Sequence, residues 1–294
     1  MKRSKINRMN IGVNIFFVII CILILYPFVC IVSGSFIAEE DMRRFGFSII
    51  PKIMDTSAYE YLLKNPESIL KAYGVTFLTA ILGTGIGCIV AALYAYAISR
   101  YTFPLRKLLT FFATFTMFFG GGMAATYVVY VSLYNLKNSI WVLILPQAFS
   151  AMNVIIMRAY FEQLPHSLIE SAKIDGGSEY CILAKIMLPL AKPALATIAL
   201  TTFVGYWNSY YAAMMYMDNN RYVTIQLLLQ RMMERVEFFQ SAAANEMLAN
   251  EIRNLPSEAL RMSICVITVF PMLLIFPRFQ KYFVKGMAVG AVKE

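Results

Sequence analysis

Apolar residues fill this chain in long unbroken blocks, neither alternating nor forming narrow helical stripes. Six blocks stand out, at about 11–32, 74–98, 108–131, 139–157, 194–217 and 260–277. At about 1.5 Å per residue, a block of about 20 residues reaches across a hydrocarbon core of about 30 Å. The pattern therefore predicts an all-α polytopic membrane protein with six transmembrane helices. The fourth and sixth blocks are the short ones, and the sixth requires Arg261 to snorkel outward from its end. Pro146, Pro193 and Pro271 lie within or at the ends of blocks and imply kinks.

Composition agrees: 59% of the 294 residues are hydrophobic and 15% are charged. The basic stretch "MKRSKINRMN" before the first block resembles the start of a signal peptide. The block that follows is longer than a usual signal core and has no clean small-x-small cleavage site, so it reads as a retained span.

The net charge of +9 could suggest a nucleic-acid partner. Its distribution argues against one. With the N-terminus inside, 15 of the 26 Lys and Arg residues lie on the inner side, against 5 of the 17 acidic residues. The short loop "SRYTFPLRKLL" is purely basic. This asymmetry places both termini in the cytoplasm of a multi-pass cell-membrane protein. The organisation that follows is a cytoplasmic N-terminus (1–10), a transmembrane domain (11–281) and a cytoplasmic tail (282–294). Cys21, Cys30, Cys88 and Cys265 fall in or beside apolar blocks and Cys181 in a polar loop, so no disulfide framework is expected.

Several absences matter. No Asp or Glu lies within the six blocks, which disfavours an ion-coupled secondary carrier. "GTGIGCIV" lacks the Lys of a phosphate-binding loop and sits inside a span, where Gly83 and Gly87 serve close helix packing. A single histidine, His166, cannot build a zinc site. No nucleophile–base set is visible, so no catalytic residue, cofactor or metal is expected. Energy for transport against a gradient must then come from another subunit.

One segment breaks the apolar pattern. "LPHSLIESAKIDGGSEYCILAKIMLPLAKP" begins with Pro165, which stops the fourth helix. Ser167 and Glu170 have capping-box spacing and predict a short helix over about 168–175. Asp175-Gly176-Gly177 ends it, with glycine supplying left-handed geometry. Ser178 caps a second helix to about Met187, which Leu188-Pro189 closes. Ala172 is small beside the turn, and Leu168 and Ile174 offer apolar anchors. On local physics alone this is equally an ordinary structured loop or a handle for another protein.

The spacing of Glu170, Ala172, Gly176, Ile186, Leu188 and Pro189 resembles the "EAA" loop of binding-protein-dependent ABC importer permeases, with Ser171 in place of the second Ala. "LYPFVCIVSGSF", "AYAISRYTFPLRKLL", "YWNSYY" and the tail "FPRFQKYFVKGMAVGAVKE" resemble the maltose/oligosaccharide branch, in its second permease. "GGGM" at 120–123 and "NLPSEALRMS" point to a branch serving larger oligosaccharides or polysaccharide fragments. The resemblance implies that 161–189 is a cytoplasmic coupling loop. Glu170, Ser171, Ala172, Asp175, Gly176, Gly177, Ile186, Leu188 and Pro189 would then engage a partner ATPase, which alone binds ATP. It also implies a homologous sister permease, two ATPase subunits, an extracytoplasmic binding protein and a carbohydrate substrate in a lipid bilayer.

Asn153, Trp207, Asn208 and Tyr210 are candidates for the substrate path, because amides and aromatic faces suit sugars. Helix packing and interface anchoring are the alternatives for the same residues. Tyr127, Tyr130 and Tyr134 read as an interfacial aromatic belt. Small-residue faces at Gly83, Gly87 and Ala91, and at Ala194, Ala196 and Ala199, are expected to admit the sister chain. An ABC permease for peptides or amino acids, a secondary carrier and a membrane scaffold remain the competing readings.

Overall fold

The computed structural model describes residues 8–38, 41–42, 46, 53–64, 66–218, 220–242 and 257–291, with backbone alone at 8–11, 220, 239–242, 257 and 278–291. The basic N-terminal stretch to residue 7 and the first three residues of "NLPSEALRMS", 254–256, lie outside the described residues, as do the side chains of most of the tail. The described residues form helices joined by short connections, with an isolated bridge between Ile37 and Met54. It forms two compact units, Met1–Pro66 with Leu229–Met272, and Glu67–Leu228 with Leu273–Glu294.

In the first unit, helix α1 (Arg8–Gly34) carries exposed apolar side chains along most of its length. Such a surface is stable in lipid and not in water. The short helix α2 (Ser57–Leu63) begins after Asp55, whose carboxylate accepts from Ser57 N and Oγ. Ile37, Met42, Ala58 and Ala259 form a small core. Ser263 Oγ donates to Ser35 O at 3.3 Å. Arg261 lies 3.9 Å from Glu237 and 3.5 Å from Glu258, so the charge at the start of the sixth block is paired rather than only snorkelling.

The second unit opens within α3 (Pro66–Ser99), whose proline at the first helical position costs no hydrogen bond. The third apolar block is not one straight helix. α4 (Arg106–Phe118) and α5 (Gly122–Val128, continued by a wide π-turn Val129–Leu133) meet at 119°. Gly122 at φ +75° and the adjacent Gly120-Gly121 supply the break, because glycine enters that geometry without Cβ strain. The fourth block likewise splits into α6 (Trp141–Ala148) and α7 (Ala151–Glu162), bent by 47°. Ser150 caps α7 by accepting from Asn153 N. Among the described residues, three helices are long and apolar enough to cross a bilayer alone, over Gly12–Gly34, Pro66–Ser99 and Glu258–Pro277. Counting each of three bent pairs as one span makes six.

After α8 (His166–Ile174), α9 (Glu179–Ile182) continues through a π-turn, Leu183–Met187, and a last turn, Leu188–Leu190. An 80° bend then leads into α10 (Lys192–Trp207). The fifth block, expected as one helix over 194–217, stops at Trp207 and resumes as α11 (Tyr211–Tyr216). α12 (Ile225–Ala242) follows, and α13 (Ser257–Ala291) carries the sixth block and continues through most of the tail.

The small-residue face of α3 is used inside the chain. A Cβ on Gly83 would lie 2.2 Å from the ring of Tyr206, and one on Gly87 3.2 Å from the carbonyl oxygen of Ala148. Ala91 and Ala194 are buried too. The expectation that the Gly83–Ala91 face admits a sister chain is therefore corrected, because this chain's own aromatic and backbone atoms fill the space.

Candidate functional site

The polar segment of α8 and α9 presents one face inward and one outward. Ile169, Ile182, Leu183 and Met187 are buried in one core with Ala95, Ile98 and Phe161. Ala172 and Leu188 pack against that core from its edge. Glu170, Ser171, Asp175, Gly176 and Pro189 are exposed, while Gly177 and Ile186 are half-buried. Two large apolar side chains stand almost free of the protein beside the turn, Ile174 at 86% and Tyr180 at 80% exposure. Ile174 follows from the sequence reading. Tyr180 was missed, since only the fold shows that it points away while its neighbour Ile182 points in.

The turn works as its residues require. Gly176 has φ +77°, and nothing lies within 4 Å of where its Cβ would be. Gly177 is the confined one: its Cβ would sit 2.7 Å from the carbonyl oxygen of Ala172. That carbonyl accepts from Gly177 N at 2.8 Å and closes the helix end. Ser178 caps α9, accepting from Cys181 N at 3.3 Å.

Two local expectations are corrected. Ser167 forms no capping box, because α8 starts two residues earlier, at His166, with extended Pro165 (φ −58°, ψ 127°) as its cap. Pro189 does not close the second helix. The π-turn widens the helix just ahead of it, which relieves the clash between a proline ring and the carbonyl four residues back.

A cluster of charges flanks this segment, and the sequence reading did not foresee it. Glu179 accepts from Tyr96 Oη and lies 2.7 Å from Lys173 Nζ and 3.3 Å from Arg100 Nη2. The Arg100 guanidinium also lies over the Tyr96 ring, 5.2 Å from its centroid. Partial burial works to raise the Glu179 carboxyl. Hydrogen bonds from Lys173 and Tyr96 and the charge of Arg100 outweigh it and hold the group below the ordinary carboxyl range. At the other end, Glu162 Oε1 accepts from Arg106 Nη2 at 3.0 Å and Arg158 Nε at 2.9 Å. The signal available in sequence is the basic loop at 100–107, which carries topology and resemblance but not its pairing partners.

A second polar group forms where α10 breaks. Asn208 is exposed and its Oδ1 accepts from Gln226 Nε2 at 3.3 Å. Ser209 Oγ accepts from Gln147 Nε2 at 2.8 Å, and Ser209 O accepts from Thr224 Oγ1 at 3.3 Å. Tyr210 is exposed. Trp207 is buried, at 1% exposure, among Tyr73, Phe77 and Phe203, so it anchors the break rather than opening onto it. Asn153 stands apart, donating from Nδ2 to Thr202 Oγ1 at 3.0 Å between α7 and α10. The structure thus gathers Asn208 and Tyr210 and adds Gln147, Ser209 and Gln226. Tyr127 and Tyr130 pack on Tyr216 in a protein core instead of forming a free belt. Among the described residues no group of three His, Cys, Asp or Glu could hold a metal.

Residues 83–289 match the family model described as binding-protein-dependent transport system inner membrane component. The chain is 36% identical over 293 residues to the polygalacturonan/rhamnogalacturonan transport system permease protein YtcP of Bacillus subtilis, covering 100% of both chains. It is also 36% identical to Protein LplC of the same organism, over 91% of this chain and 88% of LplC. A chain in the crystal structure of a bacterial ABC transporter involved in the import of the acidic polysaccharide alginate superposes with a TM-score of 0.80 at 28% identity. That match covers 96% of this chain and 99% of the other.

Proposed function

The chain belongs to the family of binding-protein-dependent transport system inner membrane components, and we propose that it is one of two permeases of an ATP-driven oligosaccharide importer. In this reading it forms half of the translocation pore, with both termini and the α8–α9 segment in the cytoplasm. ATP is hydrolysed on partner ATPase subunits and this chain is not catalytic. An extracytoplasmic binding protein delivers the sugar.

The observation that carries the reading is the two-faced α8–α9 segment. Its inner face is held in the core by Ile169, Ile182, Leu183 and Met187, and its outer face offers Glu170, Ile174 and Tyr180 around an open glycine turn. A rigid element with large apolar side chains in water is stable once a partner covers them. Force applied there reaches the core of the second unit directly.

The break at 208–210 supports a sugar path. Non-helical backbone and exposed polar groups are tolerated at membrane depth where they line water or protein rather than lipid. Asn208, Tyr210, Gln147 and Gln226 supply amides and an aromatic face suited to hydroxyl-rich rings. The names of YtcP and of the alginate transporter favour fragments of acidic polysaccharides as the substrate class.

The test is to reconstitute the chain with its ATPase, sister permease and binding protein in liposomes. ATP hydrolysis is then measured with the binding protein empty, with trigalacturonate and with a tripeptide. Hydrolysis and uptake stimulated by trigalacturonate are expected. Stimulation by the tripeptide alone, or uptake that needs no ATP, would sink this reading.

A further inference from the structure

The loop between α3 and α4 touches the polar segment at two places and the end of the helix leading into it at a third. At its start, Arg100 bridges to Glu179 at the beginning of α9, with Tyr96 sharing the same carboxylate oxygen. In its middle, the Tyr101 ring lies 5.9 Å from that of His166 at the start of α8. At its end, Arg106 bridges to Glu162 at the end of α7. The loop is itself held together, since Arg106 lies over the Tyr101 ring at 4.2 Å and donates from Nε to Ile98 O at 2.8 Å. These contacts grip the polar segment before α8, at its start and after its turn.

The grip is made by partly shielded groups. The Arg100, Arg106 and Glu162 side chains are 13%, 22% and 30% exposed, and Glu179 is half exposed. Ion pairs in such surroundings are screened less than free surface pairs and are bound to a set geometry. α3 and α4 both start or end at this loop, so a displacement of α8–α9 is passed to two spans at once.

We propose that residues 100–106 are a brace that makes the α8–α9 segment move as one body with the inner ends of α3 and α4. Arg100, Arg106, Glu162 and Glu179 are its positioning residues. The proposal rests on the importer reading and adds the route by which the handle's motion enters the membrane. The basic residues that orient the chain also carry that motion.

The experiment replaces the native cysteines and then introduces Arg100→Cys with Glu179→Cys, or Arg106→Cys with Glu162→Cys, in the reconstituted complex. Before linking, trigalacturonate uptake per ATP hydrolysed should fall about fivefold, the scale of losing partly exposed ion pairs. Binding-protein-stimulated hydrolysis should persist. A short bis-maleimide joining either pair should restore uptake, because it replaces the electrostatic grip with a covalent one. Undiminished uptake before linking, or a link that leaves uptake low, would overturn the brace. Failure of both pairs to assemble would assign the bridges to folding and overturn it too. If the cysteine-free parent itself takes up no trigalacturonate, it is the importer reading that fails.

Discussion

Gly176 and Gly177 stand side by side and are glycine for different reasons. Gly176 needs a left-handed backbone, and a side chain there costs about 1–2 kcal/mol in strain. Gly177 lacks room, because the Ala172 carbonyl lies where its Cβ would be. Gly176→Val should leave insertion and expression normal but uncouple transport from ATP hydrolysis, since its branched side chain would project into the open space beside the turn. Uptake at the parent rate would refute that role. Glu179 offers a pH test. Its carboxyl is held below the ordinary range in the fold, so its ion pairs stabilise the protein above that range. The contribution is lost as pH falls through the lowered value. Thermal unfolding of Glu179→Gln should therefore differ from the parent at neutral pH and converge with it under acid. The side chain is half exposed, so the gap at neutral pH should be about 1 kcal/mol or less.

At the scale of elements, the breaks decide how helices meet. The crossing of α3 and α10 depends on Gly83 receiving the ring of Tyr206. Tyr206 in turn donates its hydroxyl to Ile144 O in α6, at 2.6 Å, in a buried bond. Three helices are thereby fixed by one tyrosine, and the ring has little freedom to yield. Gly83→Ala should destabilise the protein by about 1–3 kcal/mol, the usual cost of overpacking. The readout is the midpoint of thermal unfolding in detergent. An unchanged midpoint would mean that the helices can part without penalty. The interruptions at 119–121 and 208–210 escaped the hydropathy reading because apolar content says where a chain enters lipid, not whether it stays helical there. The glycines at 120–122 were visible and were read for resemblance rather than for geometry.

For the whole molecule, the open question is the partner. One chain offers one α8–α9 handle, and an ATPase dimer offers two grooves in the importer reading. A homologous sister chain, rather than a second copy, is the expected supplier of the other handle. The internal use of Gly83, Gly87 and Ala91 leaves that contact to other surfaces. Native mass spectrometry of this chain expressed alone with the ATPase should find no transport-competent homodimer. A homodimer that binds the ATPase and moves sugar would refute the two-permease assembly.

The sequence by itself determined the membrane class, the apolar blocks, the place of the polar segment, its glycine turn and the Ser178 cap. Each of these rests on interactions within a few residues, or on the cost of placing charge in lipid, and both are written locally. The tertiary structure alone decided that Tyr180 faces out, that Trp207 is buried and that Arg100 meets Glu179 from 79 residues away. It also turned the Gly83–Ala91 face inward. Those outcomes depend on which helices become neighbours, and many neighbour choices satisfy the same hydropathy pattern. In lipid, packing shape and paired charge choose among them, and neither is visible until the helices are side by side.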